Sequence, residues 1–439
     1  MLVPHDMNGQ TVGVLGLGGS GIAAVAALRA AGAHVVAFDD GKHQQDLPAI
    51  QMTDWRDWPW QDMAAMVISP GIPHLHPKPH PAAAHANSLQ IDVISEVELA
   101  LRAKPQAKLV VVTGTNGKST TTALIGHCLA TAGRAHAIGG NLGEPACSLD
   151  DPGKDGVLVL ELSSYQLETT PSLAPDISIL LNISPDHLDR HGGMNGYIAA
   201  KAVVLDRLGA DCLAIIGDGD EHVKALAAAT RKRGIKTMIA SPDDAPDAQR
   251  HSASLAGLHN AENAAAAAFA LAALGLDMAM INRGVKSYSS LPHRLQTVAR
   301  CGKIQFVNDS KATNGVAAAK ALSAFDDIYW VAGGLAKQDG LAPAMQYLGA
   351  VKKAYLIGTA AAEFAKSLDG QCPAAICGDL EKATRAAFDD ASAAIDGGTI
   401  LLAPAAASFD QFTSFGARGD AFAALAQNLC ATTAGGNHA

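Results

Sequence analysis

The chain carries no excess of positive charge: 33 Lys and Arg stand against 42 Asp and Glu, a formal net charge of −9. That balance excludes a nucleic-acid binder working through a broad basic face, because such binding rests on neutralising phosphates. Anionic substrates would have to be met by local Lys and Arg. Long apolar runs are missing too. The longest without charge, Ala264 to Leu274, falls well short of the roughly 20 residues that span a bilayer. The first twenty residues contain Asp6 and neither Lys nor Arg, so they do not read as a secretory signal. Cysteine is scarce, with seven residues, an odd number, and no C-x-x-C pair. The expectation is reduced, mostly buried thiols in a cytoplasmic protein. No repeat of solenoid length is present.

What remains is globular in composition, 49% hydrophobic and 17% charged, and at 439 residues long enough for two to four domains. Short apolar strands alternate with helical stretches from end to end, which predicts an α/β protein with mainly parallel sheets. Strands are expected at Thr11–Gly16, His34–Phe38 and Ala65–Ser69, and a helix at Ser95–Ala103 ends before Lys104-Pro105, a candidate linker. A second block starts with a strand at Leu109. It continues through strands at Val157–Leu162, Ile177–Ile183 and Cys212–Ile216 and ends in helices up to Lys286. The third block places strands near Ile304–Val307, Ile328–Ala332, Ala354–Ile357 and Ile400–Ala403. The tryptophans at 55, 58 and 60 read as a cap on a core. The histidines 74, 76, 80 and 85 lie in a Pro-rich loop too irregular for a metal site.

The segment LVVVTGTNGKSTTT, Leu109 to Thr122, carries the strongest chemical signal. A β-branched strand runs into a Gly/Asn turn and then into Lys118, Ser119 and a helix N-terminus. Backbone N–H groups of Gly114, Thr115, Asn116, Gly117, Lys118, Ser119 and Thr120 can cradle phosphates there, and the helix dipole favours the charge. Lys118 would reach the β/γ-phosphates and the Ser119 hydroxyl would bind Mg²⁺. The standard phosphate-loop spacing asks for glycine at 112, where this chain has Val112, so the loop is a variant using Gly114.

Other constellations sit where strands end. GLGGSG at Gly16–Gly21, with Asp39 closing the following strand, has the Rossmann-like layout for a diphosphate and a ribose hydroxyl. Taken alone it would suggest a NAD(P) oxidoreductase. Glu161 ends a strand beside the phosphate loop, where such ATPases keep a metal-binding carboxylate. His187, in NISPDHLDRH, is a reasonable metal ligand. Lys201 by its spacing alone reads as a surface residue, since an ammonium repels Mg²⁺. In HNAENAAA, Asn260 and Asn263 read as an N-cap and an exposed amide. NDSKATN at 308–314 and APAAASFDQF at 403–412 place Asp309, Lys311, Thr313 and Ser408 after strands. Polar groups at strand ends in three blocks predict a site assembled between domains, with closure during catalysis.

The motifs TGTNGKST, ELSSYQLE, SPDHLDR, YIAAK, GLHNAEN, LPHR, NDSKATN and PAAASFDQF occur here in the order in which they stand in the Mur ligases of peptidoglycan precursor synthesis. The resemblance covers essentially the whole chain, and NDSKATN with ASFDQF is similar to the branch that adds D-glutamate. It implies three α/β domains: a Rossmann-like UDP-substrate domain at 1–103, a central P-loop ATPase-type domain at 104–297, and a Rossmann-like amino-acid domain at 298–439. Under it Gly19, Ser20, Asp39, Asp40 and Gly71 resemble the surface for the UDP moiety, and Asn141 a contact to the UDP-sugar. Ser119 and Glu161 would hold one Mg²⁺, and His187 and Lys201 a second, with Lys201 converted by CO₂ to a carbamate. That modification reverses the reading from spacing, since a carbamate is an anionic oxygen ligand. Asn263, Arg294 and Asp309 resemble ATP contacts, while Lys311, Thr313, Lys337, Ser408, Phe409 and Phe415 resemble the glutamate pocket.

Two departures stand out: Gly41 where other members can carry an arginine, and Phe409 where leucine is familiar. The implied reaction joins D-glutamate to UDP-N-acetylmuramoyl-L-alanine. The substrate carboxylate attacks the γ-phosphate of ATP, and the amine of glutamate then displaces phosphate from the acyl phosphate. Lys118, His187 and Lys201 are the expected catalytic residues, with His187 a proton acceptor when metal does not occupy it. A monomer in the cytoplasm is expected, without nucleic-acid or membrane partners. The alternatives are a sister ligase adding another amino acid, an oxidoreductase on GLGGSG, which leaves the phosphate loop unexplained, and a non-catalytic nucleotide scaffold.

Overall fold

The computed structural model describes residues 1–41, 51–52, 54–289, 291–336 and 340–435. Three sheets follow one another along the chain, and by compactness the chain forms two units. One comprises Met1–Gln249 with Ala261–Lys286, the other Arg250–Asn260 with Ser287–Ala439.

The first unit holds two sheets. The five-stranded one has β1 (Thr11–Leu15), β2 (His34–Phe38), β3 (Gln51–Met52), β4 (Met63–Ile68) and β5 (Asp92–Ile94) in the order β3-β2-β1-β4-β5, all parallel. The six-stranded one is also parallel, with β6 (Lys108–Thr113), β7 (His136–Gly140), β8 (Val157–Glu161), β9 (Ile177–Leu180), β10 (Leu213–Gly217) and β11 (Lys236–Ala240) in the order β11-β10-β9-β6-β8-β7. The central strands β6 and β8 are wholly apolar up to their ends because helices cover both faces, as parallel sheets require. The two sheets share one core, in which Val97 and Ala100 of the helix Glu96–Arg102 join Leu158, Leu160 and Leu162. Polar groups stitch the same seam: buried Glu98 accepts from Ser172 N at 2.9 Å and Oγ at 2.6 Å, and Ser95 Oγ meets Thr170 Oγ1 at 2.7 Å.

The second unit has one six-stranded sheet: β12 (Gln296–Cys301), β13 (Ile304–Asn308), β14 (Ile328–Gly333), β16 (Val351–Ile357), β17 (Ala374–Gly378) and β18 (Gly398–Leu402) in the order β12-β13-β18-β14-β16-β17. A two-stranded ribbon of β15 (Leu335–Ala336) and β19 (Ala406–Ala407) lies beside it. Only β12 pairs antiparallel within the large sheet. Trp330, Phe306, Tyr355 and Phe364 are fully buried on its two faces.

One expectation fails here. Cys301 of β12 and Cys430 of the C-terminal helix Phe415–Gly435 form a disulfide, so the thiols are not all reduced. The two cysteines are 129 residues apart in sequence, a separation no spacing rule detects, and helix-on-strand packing brings their Cα atoms to 5.4 Å. The other five are free, and burial raises the Cys128 thiol to about 12. The tryptophans behave as a cap: Trp58 and Trp60 are buried against Leu15 and Met66.

Candidate functional site

In the first unit the phosphate loop follows β6. Gly114 has φ +150° and Gly117 φ +87°, a left-handed N-cap to the helix Lys118–Thr131. A Cβ at Gly117 would stand 2.2 Å from Asn263 Oδ1, so this position tolerates only glycine. The loop is pinned by the segment after the neighbouring strand β9 and by the helix Met194–Asp206. Asn182 Oδ1 accepts from Asn116 N at 2.9 Å, and Thr115 Oγ1 meets Tyr197 OH at 3.0 Å and accepts from Ser184 N at 3.0 Å. Lys118 Nζ donates to the carbonyls of Gly114 and Thr115 at 2.9 and 2.8 Å, folded back over its own loop. Among the described residues the N-cap Gly117 has no side-chain capping bond, and a helix N-terminus of this kind favours an anion. Ser119 is buried in the first turn, and Thr120 beside it is half-buried.

Glu161 ends β8 alongside. Asn141 Nδ2 holds its Oε1 at 2.7 Å, while buried Oε2 has no hydrogen-bond partner among the described residues. An orphaned carboxylate oxygen costs free energy unless something positive binds it, which suits a cation site. Lys201 is 2% exposed, inside the helix Met194–Asp206, so the surface placement suggested by its spacing is wrong; the helix turns this face onto the sheet. Its Nζ donates to Gly114 O at 2.8 Å and lies 4.8 Å from the Tyr197 ring, and it forms no ion pair among the described residues. Desolvation, then repulsion from Lys118, drives its pKa well below the usual lysine value. A neutral buried amine is the form that combines with CO₂. His187 has φ +53° and is half-exposed, its Nε2 3.5 Å from Asp186 Oδ2. Among the described residues no three His, Cys, Asp or Glu side chains converge as a metal site. The donor set in view is a hydroxyl, a carboxylate, an imidazole and an amine.

The GLGGSG loop follows β1. Gly16 has φ +89°, and a Cβ at Gly21 would collide with Gly16 O at 1.9 Å, the close helix–strand approach of a dinucleotide-type loop. Gly19 and Ser20 open the helix Gly19–Ala30, with open space around Gly19. Asp39 accepts from Leu17 N at 2.5 Å and Gly41 N at 2.7 Å, and Asp40 pairs with His80 at 2.8 Å. Gly71 lies in the turn after β4. Asn260 and Asn263 are both buried, contrary to the reading as a cap and an exposed amide; Asn263 packs under Gly117.

In the second unit LPHR and the residue after it carry backbone strain, with φ +62° at His293 and +44° at Leu295. Asp309 Oδ1 accepts from Leu295 N at 3.3 Å, and full burial lifts its pKa to about 7 against the pull of Arg294. Lys311 Nζ lies 4.1 Å from the Phe415 ring, Thr313 follows in the same turn, and Ser408 is buried after β19. Phe409, next to Ser408, is 72% exposed. Lys337 lies outside the described residues. Arg418 escaped the reading of the sequence. Buried, it donates to Ser310 O and Oγ at 2.9 Å and to Ala406 O at 3.2 Å, and desolvation lowers its pKa to about 10. Its signal was only the register of one arginine on a helix after ASFDQF.

Residues 112–271 match the Mur ligase middle domain, and residues 293–406 match the Mur ligase, glutamate ligase domain. The chain belongs to the Mur ligase family. It is 44% identical to the UDP-N-acetylmuramoylalanine--D-glutamate ligase of Paramagnetospirillum magneticum, over 96% of this chain and 97% of that one. It is 42% identical to the protein of that name from Caulobacter sp. (strain K31), over 98% of both. The fold is that of the Thermotoga maritima UDP-N-acetylmuramate-alanine ligase, with TM-score 0.58, 16% identity and coverage of 95% and 99%. It is also that of the Thermotoga maritima MurF ligase in complex with ADP, with TM-score 0.58, 15% identity and coverage of 99% and 98%.

Proposed function

We propose that the chain is an ATP-dependent ligase joining D-glutamate to UDP-N-acetylmuramoyl-L-alanine, working as a cytoplasmic monomer with domains at 1–103, 104–297 and 298–439. The observation that carries this is the cluster around the phosphate loop: Lys118 and the desolvated amine of Lys201 both donate to Gly114 O, and near Lys201 stands Glu161, whose Oε2 has no hydrogen-bond partner among the described residues. The relatives' names supply the substrates.

In this reading the loop N–H groups and Lys118, swung from its loop carbonyls, hold the β/γ-phosphates of ATP. Ser119 and Glu161 would hold one Mg²⁺, and His187 with the Lys201 carbamate another. When bound, the ions supply charge neutralisation on the phosphates. The muramoyl carboxylate attacks the γ-phosphorus and ADP leaves, giving an acyl phosphate. The free amine of glutamate then adds to the acyl carbon and phosphate departs. Asn263, Arg294 and Asp309 serve ATP; Lys311, Thr313, Lys337, Ser408 and Phe415 serve the glutamate. Gly19, Ser20, Asp39, Asp40, Gly71 and Asn141 serve the UDP substrate. Phe409 is kept in the glutamate set only at its rim, given its exposure. Phosphate release with UDP-N-acetylmuramoyl-L-alanine and D-Glu, L-Glu, L-Ala or diaminopimelate in turn tests the reading; release confined to a different amino acid would assign a sister ligase.

A further inference from the structure

Arg190 belongs to SPDHLDRH but has no part in the reaction just described. It lies in the 3₁₀ turn Leu188–His191 that directly follows His187, with Arg190 N bonded to His187 O at 3.0 Å. Its guanidinium fork is spent on the first sheet. Nη1 donates to Gly71 O at 2.8 Å, and Nη2 donates to Ile72 O at 3.1 Å and Pro70 O at 3.3 Å. Three carbonyls on one planar fork is a task lysine cannot copy. The turn they belong to is closed by Ile72 N to Ser69 O at 2.9 Å. It is tied back to the GLGGSG loop by Ser69 Oγ to Gly16 O at 2.9 Å.

The arginine is itself held by a built support. Its Cζ sits 4.4 Å above the Tyr165 ring, which also meets His191, stacked at 5.3 Å and 17°, and His187, tilted at 5.4 Å and 54°. His191 is buried and fixed at both nitrogens: Nε2 to Ser164 Oγ at 2.9 Å and Nδ1 to Glu168 Oε1 at 2.9 Å. Glu168 Oε2 also faces His74 Nε2 at 3.9 Å, from the loop following that turn. A surface ion pair would need none of this. The guanidinium is stacked, its support is locked, and its donors converge on one turn.

We infer that Arg190 is a positioning residue that sets the Pro70–Ile72 turn, and with it the nucleotide-diphosphate surface of the first sheet, against the loop carrying His187. The inference rests on the proposed reading, in which Gly71 faces the UDP moiety. A loop held in its binding geometry before the ligand arrives lowers the ordering cost of binding, so the residue acts on capture of the UDP substrate and leaves the chemical step alone.

The test is steady-state kinetics of full-length Arg190→Lys and Tyr165→Leu, with thermal melts to establish folding and direct titration of UDP. Arg190→Lys keeps the charge and loses the fork. KM for UDP-N-acetylmuramoyl-L-alanine should rise about tenfold, with kcat and the KM for ATP within about twofold of the parent. UDP affinity should weaken in parallel. Tyr165→Leu should give a smaller change in the same direction. An unchanged KM and UDP affinity in folded Arg190→Lys, or a fall in kcat at unchanged KM, would overturn the inference. Failure of the underlying reading looks different: the parent enzyme itself would neither turn over nor bind the UDP compound.

Discussion

Burial shapes the chemistry of Lys201 and Asp309. Lys201 is the clearest case. An ammonium so enclosed, beside Lys118 and bonded to the Gly114 carbonyl, is disfavoured, and the proposed carbamate rests on the neutral amine this leaves. Lys201→Ala should therefore lower turnover by several orders of magnitude, and a small carboxylic acid added to the assay should restore part of it; full activity in the unsupplemented variant would refute the carbamate. Lys118→Ala should abolish substrate-dependent phosphate release, which a colorimetric phosphate assay follows directly. Asp309 gives a pH signature. Its folded pKa of about 7 lies above the ordinary carboxylate value, so the native state holds its proton more tightly than the unfolded chain. That contribution to stability is fully present below about pH 4 and is lost as pH rises through about 7. Asp309→Asn should accordingly melt higher than the parent at pH 8 and lose that advantage toward pH 4, as read by calorimetry across the range.

At the scale of elements, the central strands were legible because they are continuous apolar runs ending in polar clusters. β2 falls where it was expected, and β8 and β14 differ by a residue at one end. The edge strands β5, β7, β11 and β17 were not. Half of such a strand faces solvent, so Asp92, His136 and Lys236 interrupt the pattern that periodicity detects. The strand, glycine turn and helix start around residues 109–122 were legible because their pattern is local. The burial of Lys201 and Asn263 was not, since it depends on which helix face meets the sheet. Gly117 makes the loop's geometry testable. Gly117→Ala adds a Cβ in the left-handed region and against Asn263, and should cost about 1–3 kcal/mol of strain together with ATP binding. Unchanged ATP affinity in that variant would mean the loop relaxes freely. The Cys301–Cys430 link is the same lesson in reverse: both residues were visible, their meeting was not.

For the whole molecule, alternating strands and helices in three blocks and eight motifs in family order made the α/β class and the family readable in the sequence. Local motifs of this kind report which ligands are held, and less about how one turn is braced against another, which is why Arg190 and Arg418 emerged only from the fold. Among the described residues no helix is long and apolar enough to cross a membrane. The disulfide closes a long loop within the second unit, and chain-entropy arguments assign such a link about 4–5 kcal/mol. Cys301→Ser should lower the melting temperature of the second unit under oxidising conditions and leave it unchanged under reducing ones.

In the proposed function the phosphate loop of this chain spends ATP on attaching D-glutamate to a UDP-linked acyl acceptor. The most direct measurement is phosphate release by the full-length protein with ATP, Mg²⁺, UDP-N-acetylmuramoyl-L-alanine and single amino acids. Release that requires all components and occurs with D-glutamate, but not with L-glutamate, L-alanine or diaminopimelate, is the predicted result. Release with another amino acid instead, or nucleotide binding with no substrate-stimulated release at all, would contradict it.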